Sequence, residues 1–180
     1  MTKPRHILLC GERGVGKSTL IARLLRCGGL PVYGFVTELL AEANGDGLHE
    51  IHIYPVGGCA CVPTAENLVG VSGGGKPRAF PAAFDTLGVR YLQAARPGGL
   101  IGMDELGFLE ARADRFTGAV LAALDGDIPV LAAVKARGES PFLRAVRGHG
   151  NAALYRVDEH SRDSLFDTLC PVVSAWGAED

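Results

Sequence analysis

The sequence predicts an α/β fold: a three-layer, mostly parallel sheet carrying an inserted β-hairpin. Short, continuously apolar runs such as "HILLC" and "IPVLAAV" alternate with segments of helical periodicity, as parallel strands joined by helical crossovers do. A glycine-rich stretch with a single lysine, "CGERGVGKSTL", stands between the first strand-like run and the first helical one. A later apolar run, "LIGMDELG", carries two adjacent acids near its end. Sheets of this kind bind ligands at the carboxyl ends of their strands, and both motifs fall there.

Each element follows from its residues. "HILLC" (6–10) reads as a buried strand and "KSTLIARLLRC" (17–27) as a helix, with Gly28-Gly29 as its stop. "VYGFVTELL" (32–40) and "LHEIHIYPV" (48–56) read as strands, joined by "AEANGDG", whose Asn44-Gly45 and Asp46-Gly47 suit a hairpin turn. Glycines and prolines in residues 57–81 predict an irregular surface segment or a lid. The rhythm then becomes regular, with a helix at 82–95, a strand at 99–107, a helix at 112–124 and a strand at 128–134. "SPFLRAVR" (140–147) reads as a short helix opening on Ser140 with Pro141 at its first position. A strand at 152–157 and a helix at 161–173 complete the order. With 180 residues, one domain spanning 1–180 is the expectation.

Composition excludes several classes. No apolar run is long enough to span a bilayer, and no basic segment followed by an apolar one opens the chain, so the expected location is the cytoplasm, without membrane contact. A formal net charge of −2 argues against a general nucleic-acid binder. Five scattered cysteines, Cys10, Cys27, Cys59, Cys61 and Cys170, read as free thiols in a cytosolic chain. Cys59 and Cys61 with His49 and His52 outline a metal site on paper, but the plainer reading is two small residues in a glycine-rich connection.

The pattern G-x-x-x-x-G-K-S runs from Gly11 to Ser18. In such a loop the glycines let successive backbone N–H groups curl around phosphate oxygens, and the following helix adds its positive N-terminal dipole. Gly11, Glu12, Arg13, Gly14, Val15, Gly16, Lys17, Ser18 and Thr19 are therefore the predicted nucleotide-binding residues. Lys17 should reach the β- and γ-phosphates, the Ser18 hydroxyl should bind Mg²⁺, and Thr19 could touch the α-phosphate. The second metal anchor of such a site is usually a carboxylate ending a neighbouring strand, which Asp104 supplies. Glu105 beside it is placed to accept a proton from an attacking water.

The segments "GERGVGKSTL", "GFVTELL", "IGMDELGFLE" and "VDEHSRDSL" occur in the order found in the small cancer-related nucleoside-triphosphatase family of P-loop proteins. The chain resembles that family over most of its length, most strongly at 6–40 and 100–169. The family's Walker A residues match Gly11, Gly14, Gly16, Lys17 and Ser18, and its D-E-I-G signature matches Asp104, Glu105, Leu106 and Gly107. Its arginine in an N-R-D-like segment matches Arg162. The resemblance implies a RecA/AAA-like core that slowly hydrolyses several nucleoside triphosphates with Mg²⁺, with Lys17, Glu105 and Arg162 as catalytic residues. Two departures stand out: Phe108-Leu109-Glu110 replaces the family's Lys-Met-Glu, and the hairpin "AEANGDGLHE" has no Arg or Lys.

Three functions compete at this point: a Mg²⁺-dependent hydrolase of ATP, GTP and other triphosphates; a P-loop kinase using residues 72–78 as a basic lid; and a non-catalytic nucleotide sensor that docks a protein partner or another copy. Glu105 at a strand end favours water activation over the other two. Lys135, ending the strand at 128–134, could sense the γ-phosphate, and Arg13 could reach over the nucleotide. Tyr54, Phe80 and Phe84 could touch a base but fit the core equally well.

Overall fold

The computed structural model describes residues 5–58, 61–75 and 77–177. Eight strands form one sheet in the order β5-β4-β3-β2-β6-β7-β1-β8. Five are parallel: β1 (His6–Gly11), β2 (Val32–Ala43), β6 (Leu100–Leu106), β7 (Val130–Lys135) and β8 (Ala152–Arg156). The antiparallel extension beyond β2 consists of β3 (His49–Pro55), β4 (Leu68–Ser72) and β5 (Arg78–Ala79).

Side-chain alternation along each strand builds two apolar layers. Leu8, Met103 and Ala132 face one cluster with Phe84, Phe116, Val120 and Leu143, all buried. These come from the helical stretch at 81–93, from α4 (Asp114–Asp125) and from α5 (Pro141–Arg147). Ile7, Leu9, Leu131 and Ala133 face the other cluster, completed by α1 (Lys17–Cys27) and α6 (Arg162–Ala175). The predicted three-layer arrangement and element order are present, and Ser140 caps α5 by accepting from Leu143 N–H at 3.2 Å.

The structure corrects three readings. First, residues 57–81 are not irregular throughout: "LVGVS" forms β4 on the edge of β3, and Arg78–Ala79 pairs with it as β5. The flanking Pro63, Pro77 and triple glycine concealed a strand whose Val69 and Val71 are buried. Second, the predicted helix at 82–95 comes in three pieces: α2 (Pro81–Ala83), a π-helical turn (Phe84–Gly88) and α3 (Val89–Gln93). Within that turn the Asp85 carboxylate accepts from Phe116 N–H at 3.0 Å. It thereby caps α4, which has no side-chain cap of its own at Ala113. Third, the cysteines are not all free: Cys27 on α1 and Cys170 on α6 form a disulfide with their Cα atoms 5.7 Å apart. Cys10 is buried and free, Cys61 is exposed and free, and Cys59 lies outside the described residues.

Candidate functional site

β1 ends at Gly11, and the chain turns through residues 12–16 into α1. Gly14 and Gly16 take φ values of 85° and 92°, a left-handed backbone that side chains disfavour by about 1–2 kcal/mol. Gly16 is doubly constrained, because a Cβ there would stand 2.9 Å from Arg162 Cδ. It also serves as the N-cap of α1 without any capping side chain, and the first turn holds no acid. The helix start therefore presents its positive end to the loop, as an anion site requires.

Lys17 is buried, and its Nζ donates to the carbonyl oxygens of Gly11 and Glu12, both at 2.8 Å. The same nitrogen lies 3.1 Å from Glu105 Oε1. That oxygen has no well-directed hydrogen bond among the described residues, so the contact with Lys17 is ionic. Ser18 Oγ donates to Asp104 Oδ1 at 3.1 Å, across 86 positions of sequence. The juxtaposition follows from the sheet order: β7 lies between β1 and β6, so the acids ending β6 face the start of α1. Thr37 on β2 donates to the Asp104 carbonyl at 3.3 Å and fixes the acidic pair from the other side.

Burial pushes the Asp104 carboxyl above its ordinary range, and the neighbouring Glu105 adds to this, while Ser18 and Lys17 act in the opposite direction. A desolvated carboxylate with a hydroxyl 3.1 Å away is a hard-oxygen donor set that a divalent cation would satisfy. The residues present fit Mg²⁺.

Arg162, the first residue of α6, lies against the phosphate loop, its Cδ and Nη1 closing over Gly16. Its guanidinium also meets Asp163 at 3.7 Å, so the surface pair and the position over the loop coexist. Val15 packs into the layer beneath α1. Glu12 and Arg13 are exposed, Glu12 pairing with Arg137 at 3.0 Å. Thr19 is exposed on the first turn of α1. Tyr54 and Phe84 are core residues, while Phe80 stands under the Arg78 guanidinium. His49 contacts the Leu40 carbonyl and His52 contacts Asn67 and Glu50. Among the described residues no group of three His, Cys, Asp or Glu side chains could hold a metal.

Beside Glu105 opens a cleft of about 180 Å³ bordered by Arg13, Thr37, Phe108 and Lys135. Lys135 Nζ rests 4.1 Å from the Phe108 ring centroid, a cation–π contact. Beneath it lies a residue given no role by sequence reasoning: Glu110, 2% exposed, accepts a hydrogen bond from Gly107 N–H and so closes the turn after the acidic pair. Its signal in the sequence was a carboxylate three positions after a glycine, a spacing that also occurs in solvated turns.

Burial raises the Glu110 carboxyl from 4.5 to about 7, against the opposing pull of its hydrogen bond from Gly107 and of Lys135. A raised folded-state value means that stability is fully present below the unfolded-state value and declines as pH rises through the folded one. Glu110→Gln keeps an acceptor for Gly107 but carries no charge. Relative to this variant, the parent should lose stability between pH 4.5 and about 7, reaching a deficit of about 3 kcal/mol. Urea denaturation of both proteins at pH 5 and pH 8 checks this; an equal difference at the two pH values removes the buried-acid reading.

Comparison with known proteins places the chain in a family. The family model described as NTPase matches residues 6–170. The nucleoside-triphosphatase THEP1 of Thermofilum pendens is 31% identical over 171 residues, covering 89% of this chain and 91% of that protein. THEP1 of Thermotoga maritima is 29% identical over 171 residues, covering 93% and 94%. Among solved structures, THEP1 of Aquifex aeolicus superposes with a TM-score of 0.75 at 21% identity, over 93% of this chain and 98% of that one. A human cancer-related nucleoside triphosphatase gives 0.71 at 22% identity, over 95% and 98%. At these identities the two structures establish the fold.

Proposed function

This chain belongs to the NTPase family, and from that membership we propose that it hydrolyses nucleoside triphosphates to diphosphate and phosphate in a Mg²⁺-dependent reaction. The observation that carries the reading is the meeting of Lys17, Ser18, Asp104 and Glu105 within hydrogen-bond or ion-pair distance at the carboxyl ends of β1 and β6. Gly11, Gly14 and Gly16, with Glu12, Arg13 and Val15 in the same loop, shape the backbone cradle for the phosphates. Thr19 is close to the α-phosphate in this arrangement. Ser18 and Asp104 would hold Mg²⁺, which when bound neutralises charge on the β- and γ-oxygens.

In this reading Lys17 exchanges the Gly11 and Glu12 carbonyls for phosphate oxygens and draws away from Glu105. Glu105 then accepts the proton of the attacking water, so arrival of the triphosphate itself releases the base. Arg162 stabilises the charge developing on the γ-phosphoryl group. The protein works as one domain, in the cytoplasm; among the described residues no helix is long and apolar enough to cross a membrane.

Phosphate release from a panel of triphosphates, with and without Mg²⁺, tests the proposal. No base-reading motif such as N-K-x-D is present. ATP and GTP should therefore turn over within about tenfold of each other, a discrimination of about 1.4 kcal/mol. A thousandfold preference overturns the loose selectivity, and release of phosphate from none of them overturns hydrolysis in favour of nucleotide sensing.

A further inference from the structure

The helices that open with the proposed catalytic groups are joined along one seam. At its upper end, Arg162 of α6 lies over Gly16 at the start of α1. Below, the Arg23 guanidinium meets Asp163 at 2.8 Å and sits 3.9 Å from the Phe166 ring centroid. Leu20 and Leu24 pack with Leu169 and Val173 between the helices. At the lower end the Cys27–Cys170 disulfide crosses the seam, and Ser174 Oγ donates to the Cys27 carbonyl at 3.1 Å.

Arg162 has little of its own to hold it there. Among the described residues its Nε is buried without a partner, and its one ion pair is the long contact to Asp163. The placement of its guanidinium therefore depends on where α6 sits on α1. Cys170 lies on the same helix, one residue before its internal Pro171 and about 12 Å below Arg162. A covalent bond from Cys170 to α1 restricts sliding and tilting of α6, and a displacement of about 1 Å at a reacting centre can cost up to a hundredfold in rate. Both cysteines are half-buried, within reach of small oxidants. The Arg23 carbonyl, 3.6 Å from Cys27 Sγ, is placed to accept the thiol proton when the bond is open. In mesophiles, disulfides of cytosolic proteins are usually transient and catalytic or redox-sensing.

We propose that Cys27 and Cys170 form a reversible oxidation site that fixes Arg162 over the phosphate loop and thereby sets the rate of turnover. The proposal rests on the reading of Arg162 as the residue that stabilises transferred charge. The chemistry is thiol–disulfide exchange with a small-molecule disulfide such as oxidised glutathione. One cysteine thiolate attacks it and releases one glutathione thiol; the second cysteine attacks the mixed disulfide, forms the Cys27–Cys170 bond and releases another. The two thiol protons and two electrons of the protein end on two molecules of glutathione.

The test equilibrates the full chain with oxidised or reduced glutathione, maps the cross-linked peptide by mass spectrometry, and measures kcat and KM well below the thermal midpoint of the reduced form. The oxidised protein should carry the Cys27–Cys170 peptide and show kcat about tenfold above the reduced protein, with KM within about twofold. Cys170→Ser, or Cys27→Ser if that variant folds poorly, should hold the reduced value under both conditions. Arg162→Ala should lower kcat and erase the redox difference, a non-additivity that simple stabilisation by a cross-link does not produce. Failure of the cross-link to form, or equal kcat in cross-linked and reduced protein, overturns the proposal. A redox difference that persists in Arg162→Ala overturns the route through Arg162. A kcat of Arg162→Ala equal to that of the oxidised parent instead marks failure of the catalytic reading of Arg162.

Discussion

Glu105→Gln should bind nucleoside triphosphate almost as the parent does and hydrolyse it about 10²- to 10⁴-fold more slowly, the usual contribution of a general base. The substitution is isosteric and removes the carboxylate charge, and with it both the capacity to take a proton and the ionic contact with Lys17. Glu105 is half-buried and its Oε1 contacts Lys17 at 3.1 Å; the amide gives up this ion pair, while Lys17 keeps its hydrogen bonds to the Gly11 and Glu12 carbonyls. Single-turnover measurement separates the outcomes: triphosphate should persist on Glu105→Gln under conditions in which the parent converts it to diphosphate. Equal single-turnover rates would place water activation elsewhere.

Lys17→Ala should lower kcat/KM by about 10²- to 10³-fold, the loss typical when one donor to a developing anion is removed. The loss should fall on the phosphates: calorimetry should show triphosphate binding weakened far more than nucleoside binding. The variant also strips Glu105 of its cation, so a purely catalytic interpretation needs a folding check. Far-UV circular dichroism supplies one, because Lys17 bonds to the carboxyl end of β1 and pairs with Glu105 on β6, and loss of either strand would change the spectrum. Unchanged triphosphate affinity would defeat the phosphate-site reading, and with it the assignment of Ser18 and Asp104 beside it.

Patterns that depend on neighbours in sequence were legible from the chain. The apolar runs of β1, β6 and β7 are continuous because both faces of a central parallel strand are covered, so burial is written directly into them. The phosphate loop was legible because its backbone needs glycine at fixed offsets, and the acidic pair because it ends such a run. Less could be read where the local signal contradicted the final environment. β4 was hidden by the glycines and prolines around it, and it is a strand because β3 offers it an edge. Asp85 looked like an ordinary helix residue, yet its carboxylate caps α4, 31 positions away.

The sequence by itself therefore determined the layered α/β order, the phosphate loop and the identity of the acids, since each rests on periodicity or spacing within a short window. Only the tertiary structure decided which groups meet. Sheet order brings Ser18 to Asp104 and Lys17 to Glu105 across more than eighty positions. The packing of α6 on α1 lays Arg162 over Gly16 and joins Cys27 to Cys170, two residues 143 positions apart. Burial turned Glu110 from an acid in a turn into a carboxyl that titrates near 7. Contact between distant segments and exclusion of water are properties of the packed chain, and no local pattern of residues encodes them.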